Sequence, residues 1–123
     1  MAPTTDDEPG PPEHLVAECL AAYDADEVPA RALEGAAVRA TVALLRQRAP
    51  GSSVEVRIPP YAAVQVIAGA RHRRGTPPAV VETDARTWLR LAAGRQTWAD
   101  AERSGALRAS GERSDLSALL PLT

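Results

Sequence analysis

The sequence predicts an α+β domain in which helices pack on one face of a small sheet, and three observations carry that expectation. Apolar residues repeat with a helical period as far as Arg48, alternate strictly through the middle of the chain, and return to a helical period from Asp84. Prolines and glycines, 11 and 8 of 123 residues, gather where the period changes. At 45% hydrophobic the chain is long enough for one domain with a real core and too short for two of ordinary size.

Each element follows from its own residues. The start, MAPTTDDEPGPPEH, is acidic and Pro-rich without apolar periodicity, so residues 1–13 are expected to be a disordered tail and 14–123 a single domain. From His14 to Asp24, Leu15, Val16, Cys19, Leu20 and Tyr23 share one face of an amphipathic helix. A second helix is expected from Pro29, suited to a first helical turn, to Arg48, where Ala49, Pro50 and Gly51 stop it. Its buried stripe reads as Leu33, Ala36, Ala37, Ala40, Leu44 and Leu45, with Arg31, Arg39, Arg46 and Arg48 on the solvent side.

In SSVEVRIPP, Val54, Val56 and Ile58 point one way and Glu55 and Arg57 the other, the alternation of a strand with one buried face. YAAVQVIAGA predicts a second strand with Val64 and Val66 on one face and Tyr61, Ala63, Gln65 and Ile67 on the other. AVVET predicts a third. Asp84 then caps a helix that Gly94 ends, and Thr97 caps another that Gly105 ends. Leu107 to Ala109 reads as a last strand. Ser114 is expected to cap a final apolar helix through Leu116, Leu119 and Leu120, stopped by Pro121. This order predicts a mostly antiparallel sheet of about four or five strands with helices on one face.

Composition removes several classes of chemistry. The one cysteine, Cys19, falls in an apolar stripe and reads as a buried thiol, so a disulfide framework is excluded. Two histidines, His14 and His72, and one cysteine provide no closely spaced ligand set, so no metal and no cofactor are expected. Ser104, Ser110, Ser114 and Ser117 read as caps and turn residues, which leaves no catalytic triad. Glu82 and Asp84 lie two apart, but the cap role accounts for Asp84 better than a general acid and base pair does. The chain is therefore expected not to be an enzyme. No uncharged stretch is long enough to cross a bilayer, and no basic leader with an apolar run opens the chain, so cytoplasmic residence is the expectation.

Charge is unevenly spread. Residues 1–34 carry nine acidic side chains against one Arg, a balance of −8, and residues 35–123 carry seven against thirteen Arg, +6, for the net −2. Neutralisation within the chain explains this more simply than an anionic partner does. Arg71, His72, Arg73 and Arg74 form the densest basic run. A solvated hairpin tip accounts for it better than nucleic acid, since no aromatic neighbour is there for a base to stack on.

The apolar residues of the C-terminal third carry more information. Both tryptophans, in a chain without phenylalanine, lie at Trp88 and Trp98. With Leu89, Leu107, Leu116, Leu119 and Leu120 they gather apolar surface that suits either a core or a lipid-sized pocket.

At these residues a family resemblance emerges. The strand ending at Thr83 and Asp84 leads into TWLRLAAGR, then QTWADAERSGALRASGERSDLSALLPL. This resembles the C-terminal part of sterol carrier protein domains, in which a Leu-rich, Gly-terminated helix, a second helix ending in a small residue and Gly, a short strand closed by Gly and an acidic residue, and a final helix follow one another. The matching positions are Leu89, Leu91 and Gly94; Ser104 and Gly105; Leu107 to Ala109; Gly111 and Glu112; and Leu116 to Leu120. The resemblance is to bacterial sterol-carrier orthologs of actinobacterial type and spans about residues 30–121.

The resemblance implies a sterol-carrier-like fold and a non-enzymatic carrier of an apolar ligand, such as a sterol, fatty acid or acyl-CoA, held between the sheet and the C-terminal helices. Val64, Val66, Trp88, Leu91, Trp98, Leu116, Leu119 and Leu120 are then the candidate ligand contacts, with Leu119 and Leu120 at the mouth. Arg90 and Arg95 are the candidates for an anionic headgroup. The competing reading is an interaction module with a closed core that dimerises or supports a separate enzyme domain.

Overall fold

The computed structural model of the chain describes residues 10–69 and 79–123. Its elements are α1 (Pro12–Asp24), α2 (Arg31–Arg48), β1 (Val54–Ile58), β2 (Ala62–Val66), β3 (Ala79–Thr83), α3 (Ala85–Ala92), α4 (Trp98–Arg103) and β4 (Leu107–Ser110), followed by a single 3-10 turn at Ser117–Leu119. The Arg71–Arg74 run lies outside the described residues.

The sheet has the order β2-β1-β3-β4. β1 pairs antiparallel with β2 and parallel with β3, and β3 pairs antiparallel with β4. The sheet is thus mostly antiparallel, with one parallel pairing among its four strands, and the fold is α+β, as the sequence predicts. The register explains the layers. Val56 stands opposite Val64 and beside Val81, and Val81 stands opposite Ala109, so one face is apolar except for the buried Thr83. That face is buried against the helices at Val54, Val56, Ile58, Val66, Val81 and Leu107. The opposite face carries Glu55, Arg57, Glu82 and Arg108, with Arg57 donating to Glu55 at 3.0 Å and Arg108 standing 3.7 Å from Glu82. Ion pairs this exposed add little stability, and their role is to keep that face wet.

Local signals place most helix ends. Asp84 caps α3 by accepting from the Thr87 N–H at 2.7 Å, and Thr97 caps α4 by accepting from the Asp100 N–H at 3.1 Å. α1 begins at Pro12, ahead of the expected His14, because Pro11 and Pro12 already hold the φ of a first turn. α2 begins at Arg31, two residues after Pro29.

Three expectations need correction. The final helix is one 3-10 turn: the Asp115 carboxylate accepts from the Ser117 N–H at 3.0 Å, while Ser114 donates to the Gly111 carbonyl instead of capping. Leu120, ahead of Pro121, is extended at φ −106° and ψ 152°, as a residue before proline prefers. β2 stops at Val66, because the Ile67 carbonyl accepts from both the N–H and the hydroxyl of Ser53. The buried face of α2 is also rotated from the expected stripe, to Gly35, Ala37, Val38, Thr41, Val42 and Leu45, leaving Leu33, Ala36, Ala40 and Leu44 half-buried on its flank.

Candidate apolar-ligand site

The residues expected to line a pocket between the sheet and the C-terminal helices lie mostly inside a packed core. Val66 and Trp88 are 0% exposed, so no void large enough for a water adjoins either. Leu91, Trp98 and Leu116 are buried in the same cluster, and Val64, Leu119 and Leu120 pack half-buried at its border. Trp88 is also tied by a hydrogen bond. Its Nε1 donates to the Thr41 hydroxyl at 2.7 Å, and that hydroxyl donates on to the Ala37 and Val38 carbonyls. Trp98 differs: its Nε1 is buried and has no hydrogen-bond partner among the described residues. Arg95 stands 3.7 Å from Asp24, at the end of α1, and Arg90 is half-buried in the last turn of α3.

The C-terminal segment closes the end of this core. Arg48 donates to the carbonyls of Leu119 and Pro121, both at 2.8 Å, while the Ala92 carbonyl accepts from the N–H groups of Leu122 and Thr123. Leu116 and Leu122 thereby stay buried. The intended mouth, Leu119 and Leu120, is a strapped edge in this conformation.

Among the described residues, open apolar space is found on the flank of α2. A groove of about 500 Å³ runs between α1 and α2, walled by Pro12, Leu15, Ala36, Ala40, Ala43 and Leu44, with Arg39 and Gln47 at its rim. That volume lies within the usual range of small-molecule sites, roughly 300 to 1,000 Å³. It exists because α2 carries apolar residues on two adjacent stripes. One faces the sheet through Val38, Val42 and Leu45. The other, through Ala36, Ala40 and Leu44, is only partly covered by α1. Sequence reasoning merged the two into one stripe and so missed the groove. The signal was the width of the apolar arc, which exceeds what one core contact needs.

Two further clusters are structural in character. Both tyrosines of the chain donate to one carboxylate: Tyr61 to Glu34 Oε1 at 2.8 Å and Tyr23 to Glu34 Oε2. Tyr23 comes from α1 and Tyr61 from the turn between β1 and β2, so Glu34 holds three elements together at the start of α2. Gly35 allows the close approach, since a Cβ there would stand 3.0 Å from the Tyr61 ring. Replacing Glu34 with Ala leaves both phenols without their charged acceptor. The expected loss is about 2–3 kcal/mol by urea denaturation.

Burial, followed by the bond to Glu34, pushes the Tyr23 phenol above its ordinary value, and the same two causes raise Tyr61. Burial, with the Glu34 and Glu18 carboxylates adding to it, raises the buried Cys19 thiol from 9.0 to about 11. The sign is the same for all three groups. Unfolding lets them ionise at their ordinary values while the native state keeps them neutral, so their contribution is complete below the ordinary values and is lost progressively as pH rises from those values through the native ones. Thermal melts should therefore hold level from pH 7 to 8.5 and fall steadily above pH 9.5 or so.

A smaller polar cleft of about 300 Å³ is lined by Pro59, Glu82, Thr83, Asp84, Gly105, Ala106 and Arg108. Its Asp84 is committed to the α3 cap and its Glu82 to Arg108. Among the described residues no group of three His, Cys, Asp or Glu side chains is placed to hold a metal, and no helix is long and apolar enough to cross a membrane. The model of the family described as "Bacterial SCP ortholog" matches residues 30–122. No curated protein matches the chain.

Proposed function

Because the chain belongs to the bacterial SCP ortholog family, we propose that it is a carrier of a single apolar chain, such as a fatty acid or acyl group, and that it performs no chemistry on that cargo. The observation that supports this reading is the open apolar groove between α1 and α2. A hydrocarbon chain laid along Leu15, Ala36, Ala40 and Leu44 loses water at about 0.8 kcal/mol per fully buried methylene, less where one side stays wet. Affinity from such a half-open groove is modest, which suits a protein that must release what it carries. Arg39, without an ion-pair partner among the described residues, stands at the rim where a carboxylate or phosphate head would lie.

Ala43→Glu tests the groove. Ala43 is exposed, so the substitution leaves the core intact while setting a charge against the apolar wall. A dansyl-labelled fatty acid should bind this variant about tenfold more weakly than the parent, with Tm unchanged, since placing a charge against a bound chain costs more than 1.4 kcal/mol. Equal binding by both proteins would remove the groove as the site.

A second reading keeps the ligand between the sheet and the C-terminal segment, in contact with Val64, Val66, Trp88, Leu91, Trp98, Leu116, Leu119 and Leu120. The unpartnered Nε1 of Trp98 favours it, because a ligand acceptor would satisfy that donor. This site would form only when the Arg48 contacts release the segment. Its signature is strong quenching of indole emission, which binding in the α1–α2 groove would not produce.

A further inference from the structure

β2 lies at the edge of the sheet, with β1 on one side only. Alternate backbone N–H and C=O groups of an edge strand point outward, and among the described residues no backbone group pairs with those of β2. Edge strands are usually guarded by charged side chains, proline or a bulge, yet Ala62–Val66 carries no charge and no proline. The outer side of β2 opens on a groove of about 350 Å³ shared with α2, lined by Val42, Ala43, Tyr61 and Val64, with Arg39 and Arg46 along it.

We propose that this groove takes an extended acidic peptide segment of a partner protein, which adds to β2 as a further strand and pairs its carboxylates with Arg39 and Arg46. A strand edge beside a helix is a recurring peptide receptor, in which main-chain bonds supply affinity and side chains on the helix side supply selectivity. The charge selects the occupant. Among the described residues no acidic side chain lines the groove, and neither Arg39 nor Arg46 has an ion-pair partner. Glu34 is bonded to Tyr61 at the end of the groove, but its two oxygens are taken by Tyr61 and Tyr23. Arg39 and Arg46 lie two helical turns apart, about 10 Å along the axis, within reach of carboxylates at alternate positions of a strand, spaced about 7 Å. A second copy of the chain fits less well: pairing two β2 edges would bring four arginines of like charge together.

The test uses a fluorescein-labelled heptapeptide alternating Glu with Thr or Val, and a counterpart with Lys in place of Glu, titrated against the full chain by anisotropy. The Glu peptide should bind and weaken with salt, and the Lys peptide should not bind. Arg46→Glu should weaken binding at least tenfold; Arg46 does not line the fatty-acid groove, so failure here is separable from failure there. N-methylation of alternate peptide amides should abolish binding in one register and spare it in the other, which only strand addition produces. No binding of the Glu peptide at low salt overturns the proposal. So does equal binding by both methylated forms, and so does self-association of the chain that excludes the peptide.

Discussion

Trp88→Ala is expected to lower the unfolding free energy by about 3–5 kcal/mol, as read from urea denaturation. Trp88 is the largest fully buried side chain, set among Leu, Val and Ala residues in a chain that is only 3% aromatic. The core cluster around it is built mainly from Leu, Val and Ala side chains, which are too small to fill the space. Its Nε1 also donates to Thr41, whose hydroxyl bridges to two α2 carbonyls, so the substitution removes a contact between α3 and α2 as well as a volume. Since small domains hold about 5–15 kcal/mol in total, the variant should sit near the threshold of folding. Trp88→Phe keeps most of the volume and separates the two effects. It should cost about 1–2 kcal/mol, and a cost equal to that of alanine would show that the hydrogen bond dominates.

Gly51→Ala is the second substitution with a large expected effect, about 3 kcal/mol by the same measurement. Gly51 has φ +146°, and a Cβ there would stand 2.1 Å from the Ile67 carbonyl oxygen. That oxygen cannot move away cheaply. It accepts from the Ser53 N–H at 3.0 Å and the Ser53 hydroxyl at 2.8 Å, while the Ile67 N–H donates to Ala49 at 2.8 Å. Ile67 itself, a β-branched residue, is held at φ +71° by these bonds. The knot joins the end of α2 to the β1–β2 hairpin, so relaxing it loosens both. Gly105→Ala gives the comparison, because Gly105 has φ +81° with nothing near its would-be Cβ. It should cost about 1 kcal/mol from backbone strain alone.

The contrast between these two glycines also marks how far the sequence could be read. Gly105 follows a helix whose cap, Thr97, and apolar spacing are local signals, and the end of that helix was legible from its residues. So were the Asp84 cap and the alternation of Val54, Val56 and Ile58. The role of Gly51 depends on a carbonyl sixteen residues away and was not legible, and neither was the end of β2 at Val66. The final segment was misread for a related reason. Leucines at helical spacing in SDLSALLPL suggest a helix, but Asp115 turns the chain and Pro121 holds Leu120 extended, which leaves one 3-10 turn.

For the candidate site, the sequence identified apolar residues without separating core from open surface. Gathered tryptophans and leucines suggested a pocket, and in the fold those residues make the core, since nothing in periodicity separates a core wall from a cavity wall. Among the described residues, Ala36, Ala40, Ala43 and Leu44 line an open apolar groove instead, and their exposure depends on how far α1 covers α2. The Tyr23–Glu34–Tyr61 clamp could not be foreseen either, because its three members come from three separate elements.

The most direct measurement is a titration of the isotopically labelled protein with a fatty acid, followed by amide and indole NMR shifts. Binding in the α1–α2 groove predicts shifts concentrated at Leu15, Ala36, Ala40, Ala43 and Leu44, with the Trp88 indole N–H unmoved on Thr41. Shifts concentrated at Trp88, Trp98 and Leu116 to Leu120, or no shifts at saturating fatty acid, would contradict it.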